Sequence, residues 1–171
     1  MTFPASLSIR FAVRTDVPAI LGFIKDLAAY EKLSHEVVAD ETKLETTLFG
    51  PRPSAEVLIA EVDGATVGFA LFFESYSTFL AKPGLYLEDL FVRPSARGAG
   101  VGSALLSALA RIAVQRHYGR FEWSVLDWNE PALRLYRSLG ATPMSEWTVQ
   151  RLTGEPLAAL AARWPHIVGK T

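Results

Sequence analysis

Apolar and polar positions alternate along the chain in two periods, and these predict interleaved strands and helices. Leu7, Ile9, Phe11 and Val13 alternate with polar or small residues, the period of a half-buried strand. Val17, Ile20, Leu21, Ile24, Leu27 and Ala28 then recur at helical spacing, with Thr15 as the capping residue and Pro18 in the first turn, where it is tolerated. This helix is expected to run to about Tyr30 or Lys32. The polar segment from Glu31 to Pro53 contains one amphipathic piece, Glu41 to Phe49, stopped by Gly50-Pro51.

Val57 to Val62 and Val67 to Phe73 are β-branched and aromatic runs on either side of Asp63-Gly64, a strong hairpin signal. A linker from Ser75 to Gly84 is expected next, closed by Pro83-Gly84, and Leu85 to Val92 supplies a further strand. Val101, Leu105, Ala108, Leu109 and Ile112 share a helical face, and Gly119 suits the stop beyond it. Phe121 to Leu126 reads as a strand, Glu130 to Ser138 as a short helix capped by Asn129 and ended before Gly140. Thr148 to Leu152 reads as a last strand and Pro156 to Trp164 as a terminal amphipathic helix. The order β-α-α-β-β-β-α-β-α-β-α makes residues 1–171 a single α+β (mixed α/β) domain, with helices on both faces of one sheet.

Composition narrows the chemistry. Half of the 171 residues are hydrophobic, enough for a sizeable core. Seventeen basic residues against eighteen acidic ones leave a net charge of −1, which argues against an electrostatic grip on nucleic acid. The chain has no cysteine, so disulfides, a thiolate nucleophile and Cys-based zinc sites are excluded. His35, His117 and His166 have no metal-ligand spacing, and no metal is expected. The N-terminus MTFPASLSIR lacks the basic and apolar regions of a signal peptide, and no apolar run approaches the ~20 residues of a membrane span. A cytoplasmic protein without a membrane partner is the expectation.

The candidate chemistry lies between Leu85 and Leu109, where a strand carrying Glu88 and Asp89 leads through Arg97-Gly98-Ala99-Gly100-Val101-Gly102 into a helix. Glycines there can take positive φ and have no Cβ to hold a ligand off the backbone. The orphan N–H groups and positive dipole end of the helix complete an anion site suited to a pyrophosphate. A P-loop is excluded because no GK[ST] follows, and the glycine offsets do not give G-x-G-x-x-G. A plain glycine turn before a helix is the alternative.

R-x-x-G-x-G/A, read at Arg97, Gly100 and Gly102, resembles the acetyl-CoA pyrophosphate loop of the GNAT superfamily of N-acetyltransferases. Asn129-Glu130-Pro131-Ala132 followed by Tyr136-Arg137-Ser138-Leu139-Gly140-Ala141 resembles the superfamily's other signature. Ile24 to Glu31, Leu85 to Val92 and Trp128 to Pro131 are similar to the diamine (spermidine/spermine) and thialysine N-acetyltransferase branch, over about Ile9 to Trp147. The segments Phe73 to Pro83 and Met144 to Arg151 depart from it.

The resemblance implies a GNAT-like fold, a mostly antiparallel twisted sheet of six to seven strands. It implies acetyl-CoA as co-substrate, held by Leu90, Phe91, Val92, Arg97, Gly98, Ala99, Gly100, Val101, Gly102, Ser103, Asn129 and Ala132. It places Tyr136 at the thioester sulfur as the acid for the leaving thiolate; a packed amphipathic tyrosine is the alternative. Tyr30, Glu31, Glu88 and Asp89 would line the site of a small cationic amine, with Glu88 first as proton acceptor. For Glu31 a solvated helix end, and for Asp89 a structural hydrogen bond, are the alternatives. On a regular strand Glu88 and Asp89 face opposite ways, which a bulge near Leu90 would relax. Arg97 and Arg93 would reach the CoA phosphates, though Arg93 reads first as an ordinary surface ion pair. The function implied is direct transfer of acetyl from acetyl-CoA to a polyamine, thialysine or lysine-like amine by a homodimer. A protein or peptide N-acetyltransferase and a non-catalytic CoA-binding module are the alternatives.

Overall fold

The computed structural model describes residues 3–163. Its strands are β1 (Leu7–Phe11), β2 (Glu56–Val62), β3 (Ala65–Ser77), β4 (Lys82–Val92) and β5 (Phe121–Trp123). Its α-helices are α1 (Val17–Tyr30), α2 (Glu41–Phe49), α3 (Val101–Gln115), α4 (Glu130–Ser138) and α5 (Gly154–Ala161). The strands form one sheet in the order β1-β2-β3-β4-β5, antiparallel except for the parallel pair β4 and β5. The sheet and α1 to α3 belong to one compact unit, Met1–Glu130, and Pro131–Thr171 forms a second.

Five strands stand among the described residues, not six to seven, and the register explains the difference. Ser75 to Gly84 is no linker: the β3–β4 ladder continues to Ser77↔Lys82, with Tyr76 opposite Pro83 and Ser75 opposite Gly84. A Cβ at Gly84 would lie 2.8 Å from the Ser75 hydroxyl, so this glycine permits close strand approach and makes no turn. Thr148 to Leu152 lies outside every strand. Alternation marks a two-faced segment, but a strand also needs a hydrogen-bonding neighbour. β5 is confined to Phe121–Trp123, short of the expected Leu126. The terminal helix is Gly154–Ala161, and the expected end at Trp164 lies outside the described residues.

Local chemistry explains most of the element ends. Asp63 and Gly64 have φ of 50° and 78°, the two left-handed residues of a tight hairpin whose twist suits the flanking strands. α1 is preceded by a 3₁₀ turn, Arg14–Asp16, so Asp16 and not Thr15 stands at its N-cap, without a side-chain cap bond to the helix. The Val13 N–H donates to the Asp16 carboxylate at 2.7 Å, and Arg10 clamps that carboxylate at 2.6 and 2.9 Å. α2 has the expected limits, with the Asp40 carboxylate accepting from the Lys43 N–H at 2.8 Å. α3 ends not at Gly119 but in a Schellman closure through His117, at φ 58°. There the Tyr118 N–H donates to the Ala113 carbonyl at 2.9 Å and His117 N–H to that of Val114 at 3.1 Å.

The apolar stripe of α1 and the buried side of α2 pack on one face of the sheet, against Val57, Ile59, Phe69 and Phe91. Phe23 is the centre of that layer, stacked on Phe69 at 5.4 Å and tilted against Phe91 at 6.4 Å. α3 buries Val101, Leu105, Leu109 and Ile112 against the opposite face. None of the described helices is long and apolar enough to cross a membrane.

Candidate active site

The site begins with one extra residue. β3 and β4 pair as Leu71↔Asp89 and then Phe72↔Leu87, so Glu88 is a bulge on β4. It lies two residues before the position expected from the sequence. Before the bulge Leu87 is opposite Phe72, and both are fully buried outside the α1 core layer. After it Phe91 is opposite Phe69 and belongs to that layer, while a Cβ on Gly102 of α3 would touch Leu90 and Val92 at 4.0 and 3.9 Å. The bulge has therefore reversed the faces of the strand. An unbulged β4 would aim Asp89 with Leu85 and Leu87 into the α3 core; the bulged strand aims it with Phe91 toward α1.

This side also holds the end of α1, where Glu31 follows the last helical residue. Burial, joined by the negative charges of Glu88 and Glu31, pushes the Asp89 carboxyl up to about 6. Burial also raises Glu31 above its ordinary value. Three carboxylates thus share one neighbourhood, with Glu88 exposed and Asp89 and Glu31 half-buried. Among the described residues no group of three such side chains is arranged to hold a metal ion.

Tyr30 stands beside them in a stack that sequence reading did not foresee. Its ring packs on Trp128 at 5.8 Å, its hydroxyl donates to the Asn129 Oδ1 at 3.3 Å, and the Arg97 guanidinium lies 4.9 Å from the ring centroid. Arg97 also lies 5.3 Å from the Phe91 ring and donates through Nε to the Val92 carbonyl at 2.9 Å. Trp128 could have been found from its place before Asn129, beside a tyrosine expected at the same site. Arg93, expected in an ion pair, lies over the Phe23 ring at 5.0 Å.

The glycine loop has the geometry that its composition predicts. Gly98 and Gly100 have φ of 80° and 83°, and Gly100 is the residue before the first turn of α3. Ala104 N–H donates to the Gly100 carbonyl at 2.9 Å, which leaves the earlier N–H groups of that turn without intrahelical acceptors. Ala99 is exposed, whereas Val101 and Ser103 are buried and anchor the loop. Beside it, the β4–β5 ladder covers only Leu85↔Phe121 to Leu87↔Trp123. From Glu88 to Val92, β4 has β3 as its one ladder partner among the described residues, and its β5 side carries no ladder there. A pyrophosphate on the loop and an amide-bearing arm along this edge both fit what is present.

In the second unit, α4 closes through Gly140, at φ 82°, with Ala141 N–H donating to the Tyr136 carbonyl at 3.1 Å. Tyr136 is half-buried, and burial raises its phenol above the ordinary 10.0. Ala132 lies on the same helix.

Residues 24–141 match the family described as "Acetyltransferase (GNAT) family". The chain is 37% identical to the thialysine N-epsilon-acetyltransferase of Mus musculus, over 93% of this chain and 99% of that one. It is 36% identical to the L-ornithine N5-acetyltransferase NATA1 of Arabidopsis thaliana, over 89% and 86% of the two chains. An integron cassette protein from the mobile metagenome of V. cholerae superposes with a TM-score of 0.77 at 27% identity, covering 92% of this chain and 99% of that one.

Proposed function

We propose that this chain, which belongs to the acetyltransferase (GNAT) family and is an acetyltransferase, transfers the acetyl group of acetyl-CoA to a primary amine of a small cationic acceptor: a polyamine, thialysine or a lysine-like amine. The observation that carries the acceptor class is the trio Glu31, Glu88 and Asp89, the first at the end of α1 and the other two on the strand whose far end leads into the glycine loop. Carboxylates in a partly buried cleft attract an alkylammonium and accept its hydrogen bonds. The names of the thialysine and ornithine acetyltransferases point the same way.

Bound acetyl-CoA supplies an activated thioester. The backbone N–H groups from Gly98 to Ser103 hold its pyrophosphate with Arg97, and the open edge of β4 at Leu90, Phe91 and Val92 aligns the arm. Asn129 and Ala132 flank that arm, an assignment supported by their place in the second signature. Tyr30 and Glu31 hold the acceptor's ammonium end. Asp89 takes the proton that the amine must lose, since a carboxyl near 6 is a better acceptor at neutral pH than an ordinary aspartate. Exposed Glu88 passes that proton to water. The amine nitrogen bonds to the carbonyl carbon as the C–S bond breaks, and Tyr136 donates its Oη proton to the departing sulfur. A phenol raised above its ordinary value stays protonated for this role.

The family match crosses the division between Glu130 and Pro131, which supports one N-acetyltransferase domain over residues 1–171. We also propose a cytoplasmic location and a homodimer, the dimer supported by the exposed Trp147 and Val149; light scattering showing a monomer overturns the dimer.

The deciding experiment follows free thiol release with acetyl-CoA and a panel of diamines, polyamines, thialysine, lysine-like amines and peptides. Turnover on the small cationic amines is expected. Turnover on peptides alone makes the chain a protein N-acetyltransferase, and acetyl-CoA binding without any turnover makes it a binding module.

A further inference from the structure

Arg97 has a second task, and we infer that it is a positioning residue coupling the donor loop to the acceptor wall, so that occupancy of one half-site tightens the other. The inference rests on the function proposed above. A residue that only met phosphate would need its guanidinium directed at the loop's anion. Here the Nε of Arg97 is spent on the Val92 carbonyl at 2.9 Å, and the central carbon of the guanidinium lies over two rings, 4.9 Å from the Tyr30 centroid and 5.3 Å from that of Phe91. Tyr30 in turn touches Trp128 at 5.8 Å and donates to Asn129 at 3.3 Å.

The contacts form one column: β4 carbonyl, Arg97, Tyr30, then Trp128 and Asn129. It joins the first residue of the glycine loop to the end of α1 and to the segment after β5. Arg97 and Trp128 are solvent-exposed, so these contacts are individually weak and open to rearrangement. An anion arriving at Gly98 to Ser103 draws on the same guanidinium that braces Tyr30, and the loop's position fixes how that guanidinium lies. Ordering the column once serves both ligands, which is the physical content of positive coupling.

Arginine is required for this, because lysine keeps the charge but has neither the planar face nor the Nε donor in that geometry. The test therefore compares wild type with Arg97→Lys by two readouts. The first is the acceptor KM, using whichever small amine the panel finds. Arg97→Lys is expected to raise it by about fivefold or more at saturating acetyl-CoA. The second is Trp128 fluorescence on titration with CoA, isolated by subtracting the same titration of Trp128→Phe. Wild type is expected to show a saturable Trp128 response and Arg97→Lys to lose it.

A Trp128 response that survives Arg97→Lys, or is absent from wild type that binds CoA, overturns the coupling, as does an acceptor KM unchanged by Arg97→Lys. If no amine is acetylated while the fluorescence behaves as expected, the acceptor reading fails and the coupling stands. If CoA does not bind at all, the function and the coupling fall together. Thermal unfolding of Arg97→Lys distinguishes loss of the fold from loss of the column.

Discussion

Replacing Asp89 by asparagine should make the protein more stable and a worse enzyme, with the stability gain confined to high pH. The carboxyl titrates near about 6 in place of 3.8. At ~1.36 kcal/mol per pH unit, this gap corresponds to about 3 kcal/mol held against the folded state once the group is ionised. The sign follows from proton binding. Below an unfolded pKa of about 3.8 both states carry the proton, and Asp89 costs nothing. Between there and about 6 the folded state alone keeps it, so stability falls as pH rises; above about 6 the penalty is complete and constant.

Asparagine has nearly the same shape and no charge at any pH. Asp89→Asn is therefore expected to gain about 2 kcal/mol at pH 8, the remainder being lost to imperfect bonding of the amide. That is roughly 4 to 8 °C in Tm for a chain of this size. At pH 4 the ionisation penalty is mostly absent, so the gain should vanish and Asp89→Asn should melt at or slightly below wild type. Thermal unfolding of both at each pH is the assay. An Asp89→Asn protein that melts lower at pH 8, or differs from wild type equally at both values, refutes the burial and charge account. In the rate, wild-type kcat/KM should fall on the acid side near pH 6, and Asp89→Asn should lose about 10²-fold or more with that limb flattened. Glu31→Gln removes one of the charges that raise Asp89, so its acid limb should move to lower pH.

Two further outcomes concern the donor half. Tyr136→Phe is expected to lower kcat by about 10²-fold or more while the acetyl-CoA dissociation constant stays near that of wild type, and wild-type turnover in this variant removes Tyr136 from the chemistry. Gly100→Ala places a Cβ on a residue at φ 83°, 3.4 Å from the Phe3 ring. It should cost about 1 kcal/mol in chemical unfolding and weaken CoA in calorimetry; unchanged CoA affinity would show that the loop does not need this conformation.

Local signals in the sequence located what local rules control. The limits of α2, the Asp63-Gly64 hairpin and the left-handed Gly98 and Gly100 follow from capping, turn and glycine chemistry within a few residues. What escaped depends on partners distant along the chain. Gly84 and Gly119 read as turn residues, yet each sits where a Cβ would strike a neighbour: the Ser75 hydroxyl at 2.8 Å and the Leu80 side chain at 3.0 Å. The left-handed residue that ends α3 is His117, and no composition rule would choose it over a nearby glycine. The column through Arg97 joins Tyr30 to Asn129, 99 residues apart, and neither helical nor strand period carries that contact. The face of Asp89 was undecidable for the same reason, because alternation gives a pleat and only pairing with β3 shows which residue is skipped.

The same skipped residue accounts for the open strand edge. β4 and β5 stop pairing at Leu87↔Trp123, and the next residue of β4 is the bulge. A bulge adds right-handed twist and bends its strand. β5 runs parallel to β4 on the side away from β3 and cannot follow that bend with a three-residue strand, so the ladder ends there. One inserted residue thus has two effects: it aims Asp89 at the α1 side and, among the described residues, leaves β4 from Glu88 to Val92 without a ladder on its β5 side. Deleting Glu88 would be a structural lesion before it was a loss of charge. The faces of Leu87 and Asp89 would be forced back into one register, with a carboxylate driven into the α3 core or Leu85 and Leu87 driven out of it. Glu88, Asp89 and the edge proposed for the donor are therefore parts of a single backbone irregularity, which is why they lie on one strand.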